Sequence, residues 1–259
     1  AVIKFGENTV TYTGTNESSG DVSVEAGTLK VAGSDQLGTG TVVLSGGELE
    51  LSADGTVTNV IQSEDDTSSI DVGENDVVAS GEVNGSSKLT KIGSGELELT
   101  GDLTNTGGIE VDEGTLVVNG EGTTSVTVDS GTLGGAGTIG DLIVSGSVAP
   151  GNSIGTLNVS GDVTLASGST FIVEIDADGN TDKLIATGDV TIDGELQISA
   201  ASGTYDNQTY VFLTGGSLTG EFSEVSITGC SATPSVTIGD TQASFVIVSC
   251  SSSNSSNDD

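Results

Sequence analysis

Residues 155–165 read GTLNVSGDVTL, and this short stretch decides the fold. Each of its two turn glycines is followed, after one polar residue, by an apolar, a polar and an apolar residue. A strand with this alternation turns one face to a core and the other to water. The repeated step therefore predicts short β-strands with one buried face each. Near copies of the step begin at Gly27, Gly47, Gly95, Gly114, Gly188 and Gly194.

Two architectures repeat short strands at this spacing, the β-sandwich and the β-solenoid. A sandwich core needs large residues, but only 3% of the residues are aromatic. A parallel β-helix stacks short rungs with like side chains above one another, so one motif recurs along the chain. We therefore predict an all-β parallel β-helix of about a dozen rungs with roughly 20–25 residues each. The predicted inward positions are Leu97, Leu99, Leu116, Val118, Leu157, Val159, Val163, Leu165, Val190, Ile192, Leu196 and Ile198.

Charge and composition exclude several classes of partner. The 259 residues include 38 Asp and Glu but only 5 Lys and no Arg or His, so the formal net charge at pH 7 is -33. Nucleic acid and anionic lipid are bound through clustered Lys and Arg, so neither is an expected partner. No apolar run approaches the ~20 residues of a membrane helix, and we expect no direct membrane insertion by this chain. The opening residues 1–4 lack a signal-peptide pattern, as expected of a processed or trimmed chain.

The missing histidine also limits catalysis. Without His, neither a Ser-His-Asp or Cys-His site nor a His-based zinc site can form. Paired carboxylates could hydrolyse a glycoside, and acidic pairs are plentiful. Sugar-cleaving sites usually add aromatic platforms, however, and the few aromatic residues here concentrate at 205–222. We predict that the chain is not an enzyme and has no catalytic residues.

One loop has the composition of a weak calcium site. Residues 176–182 read DADGNTD, and the oxygen atoms of spaced Asp and Asn side chains suit a hard cation. The EF-hand pattern requires Gly at the sixth position and Glu at the twelfth, but this chain has Thr at both. Asp and Gly also form tight turns without a metal. The sequence therefore predicts no cofactor, with Asp176, Asp178 and Asp182 as candidate ligands for weakly bound calcium.

Cys230 and Cys250 lie ten residues to either side of position 240, beside a turn signal at Gly239. The segments between them have the pattern of the two strands of a β-hairpin, whose antiparallel pairing brings the cysteines opposite each other. We predict a disulfide between them, with a stabilising effect of ~3 kcal/mol from the closed loop. A disulfide indicates an oxidising compartment outside the cytoplasm.

Changes in the repeat pattern divide the chain into four parts. Residues 1–115 repeat loosely and residues 116–202 more regularly. Residues 203–250 contain a cluster of aromatic residues and both cysteines, and we predict that they form a C-terminal cap with a β-hairpin. Residues 251–259, which are rich in Ser, Asn and Asp, are predicted to be a disordered linker or tail.

A longer, ordered series of motifs resembles a known family. Residues 131–140 read GTLGGAGTIG, and residues 148–157 read VAPGNSIGTL. The strand-like segments 171–175 and 210–214 follow in the same order. Over residues 89–249 the series is similar to the passenger domains of type V autotransporters, with their autotransporter-associated β-strand repeats.

The resemblance implies a right-handed parallel β-helix that is exported across the outer membrane and displayed on the bacterial cell surface. It implies a secreted, non-catalytic passenger that acts as an adhesin, a display stalk or a structural surface element. The expected partners are host or neighbouring-cell surface molecules. One alternative is a self-assembling extracellular fibre or surface-layer subunit, associating end to end through unpaired strand edges. Another is a carboxylate-pair enzyme that acts on glycans.

Overall fold

The computed structural model describes residues 1–251, and nearly all of its regular structure is β-strand. The strands are numbered along the chain and form four sheets, here called A to D. The single helix of the described residues, α1, spans only Ser34–Leu37. No helix in this part of the chain is long and apolar enough to cross a membrane. The predicted tail at 251–259 lies outside the described residues, except for the backbone of Ser251.

Sheets A and B begin at the N-terminal end of the molecule. Sheet A has five strands: β1 (Val2–Lys4), β3 (Val22–Val24), β5 (Val42–Leu44), β8 (Ile61–Ser63) and β11 (Val83–Gly85). Sheet B has eleven: β2 (Thr9–Thr11), β4 (Thr28–Val31), β6 (Glu48–Leu51), β9 (Ser69–Asp71), β12 (Leu89–Ile92), β14 (Ile109–Val111), β16 (Val126–Val128), β19 (Leu142–Val144), β22 (Val163–Leu165), β25 (Asp189–Ile192) and β28 (Ser217–Gly220).

Sheets C and D reach the C-terminal end. Sheet C has nine strands: β7 (Gly55–Val57), β10 (Val77–Ala79), β13 (Glu96–Leu99), β15 (Thr115–Val118), β17 (Thr132–Gly135), β20 (Ser147–Pro150), β23 (Thr170–Ile175), β26 (Glu195–Ala200) and β29 (Glu224–Thr228). Sheet D has six: β18 (Thr138–Ile139), β21 (Thr156–Val159), β24 (Lys183–Ala186), β27 (Thr204–Thr214), β30 (Ser235–Ile238) and β31 (Gln242–Ser251).

The sheets are faces of one parallel β-helix, so the predicted fold class is confirmed. Each strand pairs in parallel with strands of the neighbouring rungs, and the exceptions among the paired strands are β27 with β31 and β30 with β31. Isolated parallel bridges through Leu103 and Gly122 continue from sheet A towards sheet D. Rung length varies more than predicted. Register partners are 15 residues apart from Thr132 to Ser147 but 29 apart from Leu196 to Val225.

The core consists of apolar columns that run along the stack. Leu97, Leu116, Leu133, Val148 and Phe171 are successive register partners on sheet C, and all five are buried. Stacking like side chains in register removes apolar surface from water on every rung at once. All of the inward positions predicted from the sequence are buried, which confirms the predicted strand register.

Two buried lysines were not anticipated. The Lys91 Nζ, on a side chain that is 1% exposed, donates to the carbonyl oxygens of Gly93 (2.6 Å), Gly95 (2.9 Å) and Glu113 (2.9 Å). Lys4 is also buried and donates to the carbonyl of Gly6 at 2.5 Å and to that of Ala26 at 2.6 Å. These bonds satisfy carbonyls at turns and tie one rung to the next. Burial lowers the pKa of Lys91 to about 8, although nearby carboxylates oppose the shift.

An antiparallel unit covers the C-terminal end. The predicted hairpin of β30 and β31 is present, but β31 pairs over a longer length with β27. The turn of the hairpin lies over the last rung, where the carbonyls of Asp240 and Thr241 accept the N–H groups of Leu218 and Gly215. Cys230 and Cys250 form the disulfide, with their Cα atoms 5.9 Å apart. An aromatic cluster packs beneath this antiparallel unit. Its members are Phe171, Tyr205, Tyr210, Phe212, Phe222 and Phe245.

The N-terminal end of the described stack exposes several apolar side chains. β1 and β2 are the outermost strands of sheets A and B at this end. Phe5 is 76% exposed and Ile3 57%, and Val10 and Tyr12 are exposed beside them. These residues border an apolar cavity of about 250 Å³. The two ends of the described stack therefore present different chemistry.

The register gives a direct expectation for stability. Leu165 is buried and its neighbour Thr164 faces outward on the same strand. We expect Leu165→Asp to lower the free energy of unfolding by about 4 kcal/mol or more, because it buries an unpaired carboxylate. Thr164→Asp should change it by only about 0.5 kcal/mol. Urea denaturation followed by circular dichroism measures both, and equal losses in the two variants would refute the register.

Candidate functional site

The outward face of sheet C contains a groove, which forms because small residues follow one another on successive strands. The outward positions Val117, Gly134 and Ala149 are register neighbours on β15, β17 and β20. Gly134 has no side chain, and a Cβ there would lie 3.3 Å from the carbonyl oxygen of Ala149. Larger side chains, Glu98 of β13 and Ile172 of β23, line the groove beyond this low strip. We call this surface the sheet C groove.

One wall of the sheet C groove is a hydrogen-bonded series of polar side chains. Asn152, in the loop after β20, donates from Nδ2 to the Oδ1 of Asn119 at 3.0 Å. Asn119 in turn donates from Nδ2 to the Oε1 of Glu98 at 2.7 Å. The backbone N–H of Ala136 also donates to the Oδ1 of Asn119, at 3.0 Å. These bonds join successive rungs and hold the loop beside the groove.

The sheet C groove combines an apolar floor with negative charge. Its volume is about 540 Å³. Val117, Gly134, Ala149 and Pro150 are among the small and apolar residues that line it. No lysine and no aromatic residue is among the lining residues that the structure describes. The acidic side chains that line it are Glu96, Glu98, Glu174 and Asp182.

Asp182 is the most buried of these carboxylates, with 1% of its surface exposed. Its Oδ1 accepts the N–H of Gly155 at 2.8 Å, and its Oδ2 accepts the N–H of Glu174 at 2.7 Å. Burial raises the pKa of Asp182 to about 6, with a contribution from the Glu174 carboxylate, although the two backbone hydrogen bonds oppose the shift. Through its two hydrogen bonds, Asp182 links the loop after β20 to β23.

Mutual repulsion also affects the opposite end of the groove. Burial raises the pKa of Glu96, and the carboxylates of Asp76 and Glu98 raise it further. Like charges that lie close together favour the protonated form of one of them. The groove therefore carries negative charge that no lining lysine compensates.

The candidate calcium ligands Asp176, Asp178 and Asp182 lie in three different environments. The Asp176 carboxylate accepts hydrogen bonds from the backbone of Asp178 and from the backbone and side chain of Asn180, at 2.6–3.0 Å. Asp178 is exposed, and Asp182 binds the two backbone N–H groups described above. The hydrogen bond from the Asn180 side chain, followed by those from the backbone, lowers the pKa of Asp176. The loop is thus held by its own hydrogen bonds.

A different acidic group meets the distance requirement for a shared ion. Among residues 1–251, oxygen atoms of Glu110, Asp112 and Asp129 lie within 4.8 Å of one another. Lys88 forms an ion pair with Glu110. Burial raises the pKa of Asp112, and the carboxylates of Glu110 and Asp129 add to the shift. The cluster is partly exposed and lies beside sheet B, away from the residues of the sheet C groove.

The sequence did not predict the sheet C groove. It indicated Asp182 as a candidate calcium ligand but not as a residue that lines this groove. The signal for the groove is present in the motifs at 131–135 and 148–151, where small residues occupy outward positions. The sequence alone does not show that these small residues are neighbours. The offset between β17 and β20 is 15 residues, whereas neighbouring rungs have other lengths.

Asp182 makes stability depend on pH. Its folded pKa is raised to about 6, so its stabilising contribution is complete below about pH 4 and is lost as the pH rises through about 6. Between pH 7 and pH 5 we expect this group to add about 1 kcal/mol to the free energy of unfolding. Asp182→Asn should lose that increment, whereas Asp178→Asn, at an exposed position of the same loop, should keep it. Calorimetric Tm values at fixed ionic strength test this, and an unchanged pH slope in Asp182→Asn would contradict it.

Two segments of the chain match a known repeat family. Residues 2–31 and 89–118 match the Passenger-associated-transport-repeat family. Over 134 residues the chain is 36% identical to the Adhesin BmaC autotransporter of Brucella suis biovar 1 (strain 1330). This alignment covers 49% of the chain and 4% of that adhesin, so the chain corresponds to a small part of the relative's length.

The two matched repeats share the buried lysine. Lys4 and Lys91 are each the third residue of a matched segment. Each ammonium binds the carbonyl two residues ahead and the carbonyl 22 residues ahead, on the next rung. The same sequence position therefore performs the same structural task in both repeats. Together with the parallel β-helix and the similarity to an autotransporter adhesin, these repeats support an autotransporter passenger with repeats.

Proposed function

We propose that this chain is a non-catalytic, adhesive segment of an autotransporter passenger that is displayed outside the bacterial cell. The observation that carries the proposal is the placement of the matched passenger repeats on the rungs of one continuous β-helix. The similarity to a protein named as an adhesin supports the adhesive role. Surface molecules of host or neighbouring cells are the proposed partners.

The physical form of the chain suits this role. Sheet B stacks eleven strands, and at ~4.8 Å per strand it extends roughly 50 Å. Every rung is hydrogen-bonded to the next, so binding surfaces on its faces keep fixed positions relative to one another. A net charge of -33 keeps such rods apart in solution and favours cationic partner surfaces.

The chemistry of the sheet C groove supports a binding role over a catalytic one. The Glu98 and Asp182 carboxylates already accept hydrogen bonds from Asn119 and from the backbone. The described lining residues provide no aromatic platform for a sugar ring. The chain also has no histidine to act as a general base.

Bead adhesion tests the proposed function. Fluorescent beads coated with the wild-type chain should bind to cultured epithelial cells or to neighbouring bacteria several-fold more than beads coated with Leu165→Asp. The variant has nearly the same charge and composition, and the beads are tested at a temperature above its Tm and below that of the wild type, where only the wild-type chain keeps the folded stack. Equal binding of the two bead types to every cell tested would contradict an adhesive role for the folded chain.

A further inference from the structure

We propose that the sheet C groove binds an extended segment of a partner protein that carries lysine or arginine side chains. This inference rests on the proposed adhesive function and assigns the surface through which it acts. The occupant follows from three properties of the groove: its charge, its length and its apolar floor.

Charge complementarity is the first argument. Glu96, Glu98 and Glu174 line the sheet C groove without a lining lysine, and the buried Asp182 adds negative charge although its carboxylate is bound to backbone N–H groups. The lysines of the chain lie elsewhere, because two form ion pairs, two are buried against carbonyls and one is exposed on sheet D. These are Lys30 and Lys88, Lys4 and Lys91, and Lys183. A cationic partner would supply the missing positive charge, and an anionic partner would be repelled.

The length of the groove is the second argument. Its lining residues lie on β13, β15, β17, β20 and β23, five consecutive strands of sheet C. Four inter-strand spacings of ~4.8 Å give about 19 Å, the length of roughly six extended residues at ~3.3 Å each. A short extended peptide along the helix axis would therefore span the groove, with its middle residues over the low strip and its ends beside Glu98 and Ile172.

The floor and walls are the third argument. Val117 and Ala149 offer apolar contact to the aliphatic stems of lysine or arginine while the charged ends reach the less buried lining carboxylates of Glu96, Glu98 and Glu174. The hydroxyl groups of Thr115 and Thr132, register neighbours on β15 and β17, can bond to a peptide backbone along the other side.

Two other ligand classes fit the groove less well. A glycan would need aromatic surfaces for stacking, and the described lining residues include none. A bound divalent ion needs several converging oxygen atoms. Within residues 1–251 the acidic triplet with that spacing lies at Glu110, Asp112 and Asp129, outside the groove. The partner surface that fits best is therefore a basic, extended polypeptide.

Peptide binding to the purified chain tests the inference. The probes are fluorescein-labelled hexapeptides in which alanine alternates with lysine, serine or glutamate, measured by fluorescence anisotropy at about 0.15 M salt, where exposed charges are screened. We expect the lysine peptide alone to bind. Glu96→Gln/Glu98→Gln should weaken that binding at least tenfold, and Ala149→Leu, which fills the floor without changing charge, should do the same.

The matched control is Glu195→Gln/Glu224→Gln, which removes two exposed carboxylates from the same sheet outside the groove. It should change the affinity less than twofold, and no variant should have a Tm below that of the wild-type chain. Equal weakening by both double variants would overturn the proposal, because binding would then depend only on diffuse charge. Unaltered binding by Ala149→Leu, or binding of a neutral oligosaccharide in place of the peptide, would also overturn it. If beads adhere to cells equally with and without the groove substitutions, the groove assignment fails while the adhesive function stands.

Discussion

The structure depends on one constraint, the in-register parallel hydrogen bonding of each rung to the rungs before and after it. Because of this pairing, a position within the repeat becomes a column along the rod. The leucine and valine columns form the core in this way. The small outward residues Val117, Gly134 and Ala149 form a groove for the same reason. A change of register on one strand would disrupt the core and the groove together.

Parallel stacking leaves backbone groups unpaired at the end of a solenoid, and the C-terminal residues of the described chain cover such an end. At the C-terminal end, β27, β30 and β31 change to antiparallel pairing, and the disulfide of Cys230 with Cys250 fixes the segment that covers the last rung. The aromatic cluster widens the core there and adds packing that the aliphatic rungs lack.

The sequence predicts what depends on local pattern, and the structure supplies what depends on register. Alternation after turn glycines correctly placed Leu116, Leu165 and Ile198 in the core. The same alternation places Lys91 inward, but a lysine was not expected to be buried against carbonyl oxygens. The groove and the partners of Asp182 depend on residues brought together by rungs of unequal length, so spacing along the chain does not reveal them.

Cysteine cross-linking on sheet B tests the central claim of single-rung, in-register stacking most directly. Thr164 pairs with Thr191, and Thr191 pairs with Thr219. Adjacent partners lie ~4.8 Å apart and positions two rungs apart about twice that, while a disulfide needs Cα atoms within ~7 Å. Under mild oxidation, mass spectrometry should find the cross-link in Thr164→Cys/Thr191→Cys and not in Thr164→Cys/Thr219→Cys. Cross-linking of the second pair in preference to the first would contradict the stack on which the fold and the groove both rest.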